Sequence, residues 1–197
     1  MTFDPATIDF YDKNAEAYAN RFSKSEADRH LSGFLDEVAK GGRILDLGAG
    51  PGNAAAYMIS VGFRAEAWDA SEGMVRLARE NFGVPSLQAT FHDLTAEAEY
   101  DGIWANFSLL HARREDMGQH LAAIHRALKP GGVFHIGMKL GEGVARDRLE
   151  RSYTYFTDDE LLGLMDAAGF EVTFKEYGES EGMANTYDAF LIVRARA

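Results

Sequence analysis

Along the 197-residue chain the spacing of apolar positions changes several times, and each change marks an expected element. Tyr11, Ala15, Tyr18 and Phe22 recur at +4, +3 and +4, the spacing of one helix face. A second helix is expected over 29–39, stopped by Gly41-Gly42. From Arg43 onward, short apolar runs alternate with amphipathic stretches. The runs at 43–47, 65–68, 86–89, 102–106 and 133–138 predict strands. Helices are expected over 53–61, from the Ser71 cap to about Phe82, and along Met117, Leu121, Ile124 and Leu128. Lys129-Pro130-Gly131-Gly132 ends the last of these. Thr157 and Glu160 have capping-box spacing, and Leu161, Leu164, Met165 and Ala168 supply the apolar stripe that stops at Gly169. Two final strands, 171–177 and 187–193, follow with no helix between them.

Strands alternating with helices predict an α/β fold, a Rossmann-like doubly wound sheet of seven strands. The sheet should be mostly parallel with an antiparallel last strand, because the closing pair lacks a crossover helix. No repeat or linker interrupts the pattern, so residues 1–197 read as a single domain.

Composition narrows the function. Aromatic residues at 12% and charged residues at 26% suit a packed core rather than a disordered chain. The net charge, 20 − 31 = −11, argues against a nucleic-acid partner, which needs clustered Lys and Arg. No run approaches the roughly 18 apolar residues of a membrane span. Met1-Thr2-Phe3-Asp4-Pro5 has neither the basic start nor the apolar core of a signal peptide, so a cytoplasmic location and no membrane partner are expected. Cysteine is absent, which excludes disulfides, thiolate zinc sites and a cysteine nucleophile. No histidine pair has metal-ligand spacing, since His120 and His125 are five apart, and no metal is expected.

Chemistry concentrates at the first strand end, Asp46-Leu47-Gly48-Ala49-Gly50-Pro51-Gly52. Three glycines in five positions permit a sharp bend and close approach to a ligand, with helix N–H groups opening behind at Asn53. Asp46 interrupts an apolar strand, and a buried carboxylate wants a cation. Asp69 ends the second strand, 19 residues after Gly50, where an acid can accept from both ribose hydroxyls. A ligand carrying a ribose and an ammonium would satisfy both acids. A strand-end cap for Asp69 and a local turn hydrogen bond for Asp46 are the alternatives.

These residues resemble the class I S-adenosylmethionine-dependent methyltransferases. The matching stretches are Ile44 through Gly52, Trp68-Asp69-Ala70-Ser71, Tyr100-Asp101-Gly102-Ile103-Trp104-Ala105, the Leu128-Lys129-Pro130-Gly131-Gly132 turn, and Tyr11-Asp12 with Ala15 and Tyr18. A closer likeness, to small bacterial tellurite-resistance-like members, rests on Ser108-Leu109-Leu110-His111, Lys139-Leu140-Gly141-Glu142-Gly143 and Tyr155-Phe156-Thr157. The resemblance implies S-adenosylmethionine as cofactor, S-adenosylhomocysteine as product, and residues 1–40 as a helical cap over the site. It implies that Gly48, Ala49, Gly50 and Gly52 line the methionine part, with Asp46 near its ammonium. Asp69 would hold the ribose, Ala70 and Met74 would border the adenine, and Asp93 with Leu94 would receive the adenine amino group. Asn106 and Phe107 would sit beside the sulfonium, and Tyr11 and Tyr18 would close over the site. Plain helix packing is the alternative for the two tyrosines.

Methyl transfer from a sulfonium needs mainly an aligned nucleophile, and sometimes a base. His111 is the expected catalytic residue, because it follows the fourth strand closely; packing of the next helix is its bland alternative. His92 is a weaker candidate, and Arg113 and Arg114 are expected to face water. The mixed charges of 139–155 suit either a lid or a solvated loop.

Amino-group DNA methylation lacks its Pro-Pro-aromatic signature at Asn106-Phe107-Ser108-Leu109. A nicotinamide oxidoreductase can use only the frame Gly50, Gly52, Ala55, which leaves Asp46 unexplained. A non-catalytic S-adenosylmethionine-binding module and an aminopropyl transferase are further alternatives. The expectation is a methyltransferase acting on a small-molecule acceptor, as a monomer or homodimer.

Overall fold

In the computed structural model, residues 4–21, 29–181 and 187–197 are described. Phe22, the last member of the first apolar stripe, and Met1–Phe3 lie outside the described residues. The elements run α1 (Pro5–Arg21), α2 (Arg29–Glu37), β1 (Arg43–Leu47), α3 (Asn53–Ser60), β2 (Arg64–Asp69), α4 (Glu72–Phe82), β3 (Ser86–Gln88) and β4 (Tyr100–Asn106). There follow α5 (Met117–Ala127), β5 (Leu128–Lys139), β6 (Val144–Arg146), β7 (Ser152–Thr154), α6 (Asp158–Ala167), β8 (Glu171–Glu181) and β9 (Tyr187–Arg196). Short 3₁₀ turns at Phe91–Asp93, Leu109–His111 and Arg114–Asp116 fill the connections around β4.

The main sheet has seven strands in the order β3-β2-β1-β4-β5-β9-β8. Parallel ladders join β3 to β2, β2 to β1, β1 to β4 and β4 to β5. Strand β9 enters antiparallel between β5 and β8, the expected exception. Alternate residues of each strand leave the sheet on opposite sides, which separates two cores. Leu45, Leu47, Ile103, Ala105, Phe134 and Ile136 pack with α5 and α6. Ile44, Trp104 and Val133 pack on the other face with Phe34 and Leu35 of α2 and Met58 of α3.

Local signals act as expected at the helix ends. Ser71 Oγ accepts from Met74 N–H, and Thr157 and Glu160 form the full capping box. Leu128 departs from the helical stripe: it is already extended and pairs with Tyr100 across β4, so β5 begins before the Pro130 turn. The 139–155 stretch holds a hairpin, β6 with β7, that periodicity did not reveal. Of the expected cap of residues 1–40, α1 lies at the cavity among the described residues, whereas Leu31, Phe34 and Leu35 of α2 are buried on the sheet with Ile44 and Trp104. Among the described residues, no helix is long and apolar enough to cross a membrane.

Candidate active site

Strand order reverses between β1 and β4, and the crevice beyond their carboxyl ends is where doubly wound sheets bind ligands. A cavity of about 530 Å³ opens there, within the usual range for small-molecule sites. Its floor carries Asp46, Asp69, Asn106 and Lys139, each at or near a strand end.

The glycine loop builds one wall. Gly48 has φ +76°, and a Cβ there would stand 2.3 Å from Ser108 Cβ. Ser108 Oγ donates to Leu47 O at 2.6 Å, so the loop after β4 is pinned against the loop after β1. Gly48, Ala49 and Gly50 line the cavity. Gly52 does not, contrary to expectation: its position faces Ala78 of α4, where a Cβ would come within 2.7 Å. That glycine allows two helices to approach.

Both acids lie at the cavity floor. Asp46 is 3% exposed and accepts from Ala55 N–H at 3.2 Å through Oδ2. Burial pushes its carboxyl up to about 7, because a single N–H replaces the water that ionisation requires. Asp69 accepts from Ser71 N–H at 2.9 Å and Gly50 N–H at 2.8 Å, one on each oxygen. Burial raises it to about 6, against the pull of those two donors. Asp69 is therefore also a brace between the glycine loop and the start of α4. Ala70 and Met74 line the same end of the cavity.

Helix α1 forms the roof. Asp12 Oδ1 accepts from Ser71 Oγ at 2.6 Å and Gly73 N–H at 3.0 Å, clipping α1 to the first turn of α4. Ala15 packs with Met74 and Leu77, and Tyr11 and Tyr18 lean on that cluster with their rings 5.5 Å apart. Both tyrosines line the cavity.

The β6–β7 hairpin meets α1 over the opening. Ser152 N–H donates to Thr7 Oγ1 at 2.8 Å, and Arg146 pairs with Asp4 at 2.6 Å. At the centre lies Arg151, 3% exposed in a stretch whose charges suited solvent. Its Nε and Nη2 donate to Asp147 Oδ2 at 3.0 and 2.6 Å, and its Nη1 donates to the Tyr11 hydroxyl at 3.0 Å. The guanidinium also sits 5.2 Å from the ring centroids of Phe10 and Tyr153. Lys139 pairs with Asp188 at 2.6 Å and lies over Tyr153 at 4.3 Å.

His111 lines the cavity and has both ring nitrogens engaged. Nδ1 faces Ser152 O at 2.7 Å, and a carbonyl can only accept, so Nδ1 carries the proton. Nε2 is then the acceptor of the Tyr11 hydroxyl at 3.0 Å. The result is a polarised chain, Arg151 to Tyr11 to His111 to Ser152 O. Burial lowers His111 to about 4, so it is neutral near pH 7, and burial also raises Tyr11, which keeps its proton.

Phe107, beside Asn106, has φ +54°, a left-handed conformation that costs a non-glycine residue about 1–3 kcal/mol. Its N–H donates to Gly137 O at 3.0 Å, which holds the turn at the end of β4. His135, stacked on Trp104 at 3.6 Å, donates through Nε2 to Asn106 Oδ1 at 3.1 Å and sets that amide.

Two expected contacts fall elsewhere. Asp93 is exposed, and its Oδ2 accepts from Thr90 N–H and Oγ1 at 2.7 and 2.8 Å, closing a capping box on its own turn. Leu94 is buried in the core beneath. Phe91 and His92 of that turn line the cavity instead. Arg114, expected in water, donates to Tyr155 O at 2.6 Å and covers the Phe156 ring at 4.4 Å.

Comparison with known proteins identifies the family. A methyltransferase-domain family model matches residues 44–132, from β1 to the turn inside β5. A ubiquinone/menaquinone biosynthesis C-methyltransferase, UbiE, of Edwardsiella ictaluri is 30% identical over 175 residues, covering 69% of this chain and 69% of its own. A malonyl-[acyl-carrier protein] O-methyltransferase of Pseudescherichia vulneris is 33% identical over 98 residues, 46% of this chain, and the chain spans 36% of that relative's length. Among solved structures, Burkholderia thailandensis 1,6-didemethyltoxoflavin-N1-methyltransferase, with its substrate and S-adenosylhomocysteine bound, superposes with a TM-score of 0.78 at 25% identity over 97% of this chain and 87% of its own. TehB of Haemophilus influenzae shares the fold, with a TM-score of 0.73 at 17% identity over 93% of this chain and 66% of its own. The acids at two strand ends, the glycine loop between them and these relatives lead to one assignment: the chain belongs to the S-adenosylmethionine-dependent methyltransferases.

Proposed function

We propose that this methyltransferase acts on a small organic acceptor held under the roof of α1 and the β6–β7 hairpin. The observation that carries the reading is the cavity lining, which combines the rings of Tyr11, Tyr18, Phe107 and Tyr153 with two cationic side chains, Lys139 and Arg151, both held over the Tyr153 ring. Rings and cations together suit an unsaturated acceptor with acidic or electron-rich character. The relatives named for a quinone pathway and for a toxoflavin precursor support the same class.

A bound S-adenosylmethionine supplies an activated methyl group, and the residues of this chain bind, orient and exclude water. Asp46 would take the ammonium of the methionine part, since a cation would replace the hydration its buried carboxylate lacks. Gly48, Ala49 and Gly50 would hold that part, Asp69 would accept from the ribose, and Ala70 and Met74 would border the adenine. Asn106 and Phe107, which line the same cavity, would position the reacting end. Tyr11 faces the acceptor, and His111 supplies the lone pair behind it. When the acceptor must lose a proton, Tyr11 relays it, giving its own hydroxyl proton to His111 Nε2. His111 thus works through Tyr11.

The test uses S-adenosylmethionine labelled on its methyl group, incubated separately with a pooled metabolite extract and with tellurite. Label in a soluble organic product is expected. Label appearing only as a volatile product with tellurite would overturn the organic acceptor, and binding of S-adenosylhomocysteine without any transfer would replace it with a binding-only role.

A further inference from the structure

We propose that His92, Asp116 and His120 form a binding site for one divalent transition-metal ion of the zinc class. Asp116 precedes α5 and His120 lies one turn into it, so an i, i+4 pair shares a helix face. His92 comes from the 3₁₀ turn at Phe91–Asp93. One ligand atom from each of the three lies within 4.8 Å of the others. His92 Nε2 already stands 3.5 Å from Asp116 Oδ2, and the two imidazole centroids are 4.4 Å apart.

The decisive feature is His120. Its side chain is buried, with the residue 3% exposed, and among the described residues its Nε2 has no hydrogen-bond partner. A buried polar atom left without a partner is costly, and a neutral imidazole lone pair is the commonest protein ligand for metal ions and a regular one for zinc. A tetrahedral ion with bonds of about 2.1 Å sets its donors roughly 3.4 Å apart, the spacing His92 and Asp116 already have. Two imidazoles and a carboxylate are a donor set of intermediate softness, which favours Zn²⁺ and its neighbours over Mg²⁺ or Ca²⁺. His92 and Asp116 keep side-chain exposures of 27% and 17%, which gives an ion a way in.

The site lies outside the methyl-transfer machinery but shares a wall with it, because His92 and Phe91 also line the cavity. An ion there would tie the 3₁₀ turn to the start of α5 and hold that wall in place. Its role is structural. Histidine spacing alone does not disclose it, because the ligands come from two separated segments. His125, the other member of the sequence pair, packs on Phe170 at 5.1 Å.

The experiment uses untagged full-length protein stripped with chelator and titrated with Zn²⁺ by calorimetry and with Co²⁺ by visible absorption. One equivalent of Zn²⁺ is expected, with cobalt d–d bands of a low-coordinate nitrogen–oxygen site. His92→Ala and His120→Gln should each weaken binding at least tenfold, while His125→Ala leaves it unchanged. If His120→Gln fails to fold, His92→Ala and Asp116→Asn decide, since both change partly exposed side chains. Absence of stoichiometric binding, or binding that His92→Ala leaves intact, would reduce the cluster to aromatic packing and overturn the proposal.

Discussion

Replacing Arg151 by Met would keep most of the side-chain volume and remove the charge at the junction of α1 and the hairpin. Three hydrogen bonds go with it, two to Asp147 Oδ2 and one to the Tyr11 hydroxyl. Breaking a buried ion pair from one side costs about 3–5 kcal/mol, because the remaining charge stays desolvated. Here the lower end applies. The Asp147 side chain keeps 12% exposure, and its Oδ1 still accepts from the N–H groups of Leu149 and of residue 151, at 2.9 and 3.1 Å. A loss of about 3 kcal/mol in a domain of this size lowers Tm by roughly 6–12 °C. Thermal unfolding of the ligand-free protein, followed by circular dichroism with a reversibility check, measures it. The double variant Arg151→Met/Asp147→Asn should recover part of the loss, since it removes the stranded charge while the amide oxygen keeps the two backbone donors. A Tm drop below about 2 °C, or a double variant less stable than the single one, would refute the reasoning.

Asp69→Ala should weaken S-adenosylhomocysteine binding by roughly 2–4 kcal/mol, about 30- to 1000-fold, taking one to two for each ribose hydrogen bond; an unchanged Kd by calorimetry removes the ribose assignment. Asp46 and Asp69 are held at about 7 and about 6, above their unfolded value of 3.8. The folded state therefore holds more protons than the unfolded one between about pH 4 and 7, so the contribution of these acids to stability falls as pH rises through that window. A cofactor ammonium reverses the cost at Asp46, so binding near pH 6.5 should release protons, seen as a buffer-dependent binding enthalpy; identical enthalpies in all buffers would contradict it. His111, at about 4, should contribute no inflection to kcat between pH 6 and 8, and an inflection there that His111→Ala abolishes would count against the neutral Tyr11–His111 pair. Gly48→Ala, with its left-handed φ and a Cβ 2.3 Å from Ser108, should lose about 2–4 kcal/mol in urea unfolding, and a loss under about 0.5 would show that the loop yields.

Much of this molecule is legible in one dimension. Period-2 and period-3.6 patterns are written into consecutive residues, so the strands of the main sheet, the helices and the Ser71 and Thr157 caps follow from local sequence, while the β6–β7 hairpin does not. The strand–loop–helix order around Gly48 and Gly50 and the acids at two strand ends are equally local, because backbone bends and strand termini depend on near neighbours. Tertiary structure decided the rest. Arg151 reads as one charge in a mixed run, and only a pairing 140 residues away, with Tyr11, turns it into a buried strut. Gly52 has the same local signature as Gly48, yet it faces Ala78 of α4 and not the cavity. Asp93 satisfies its own turn, and which of two ways a carboxylate is used depends on the competing donors within reach. His92 and His120 lie 28 positions apart in the chain and 4.4 Å apart in space. Hydrophobic periodicity encodes which face of an element is buried, but not which distant polar group it will meet there. That choice is made when strand order and loop closure bring specific surfaces together.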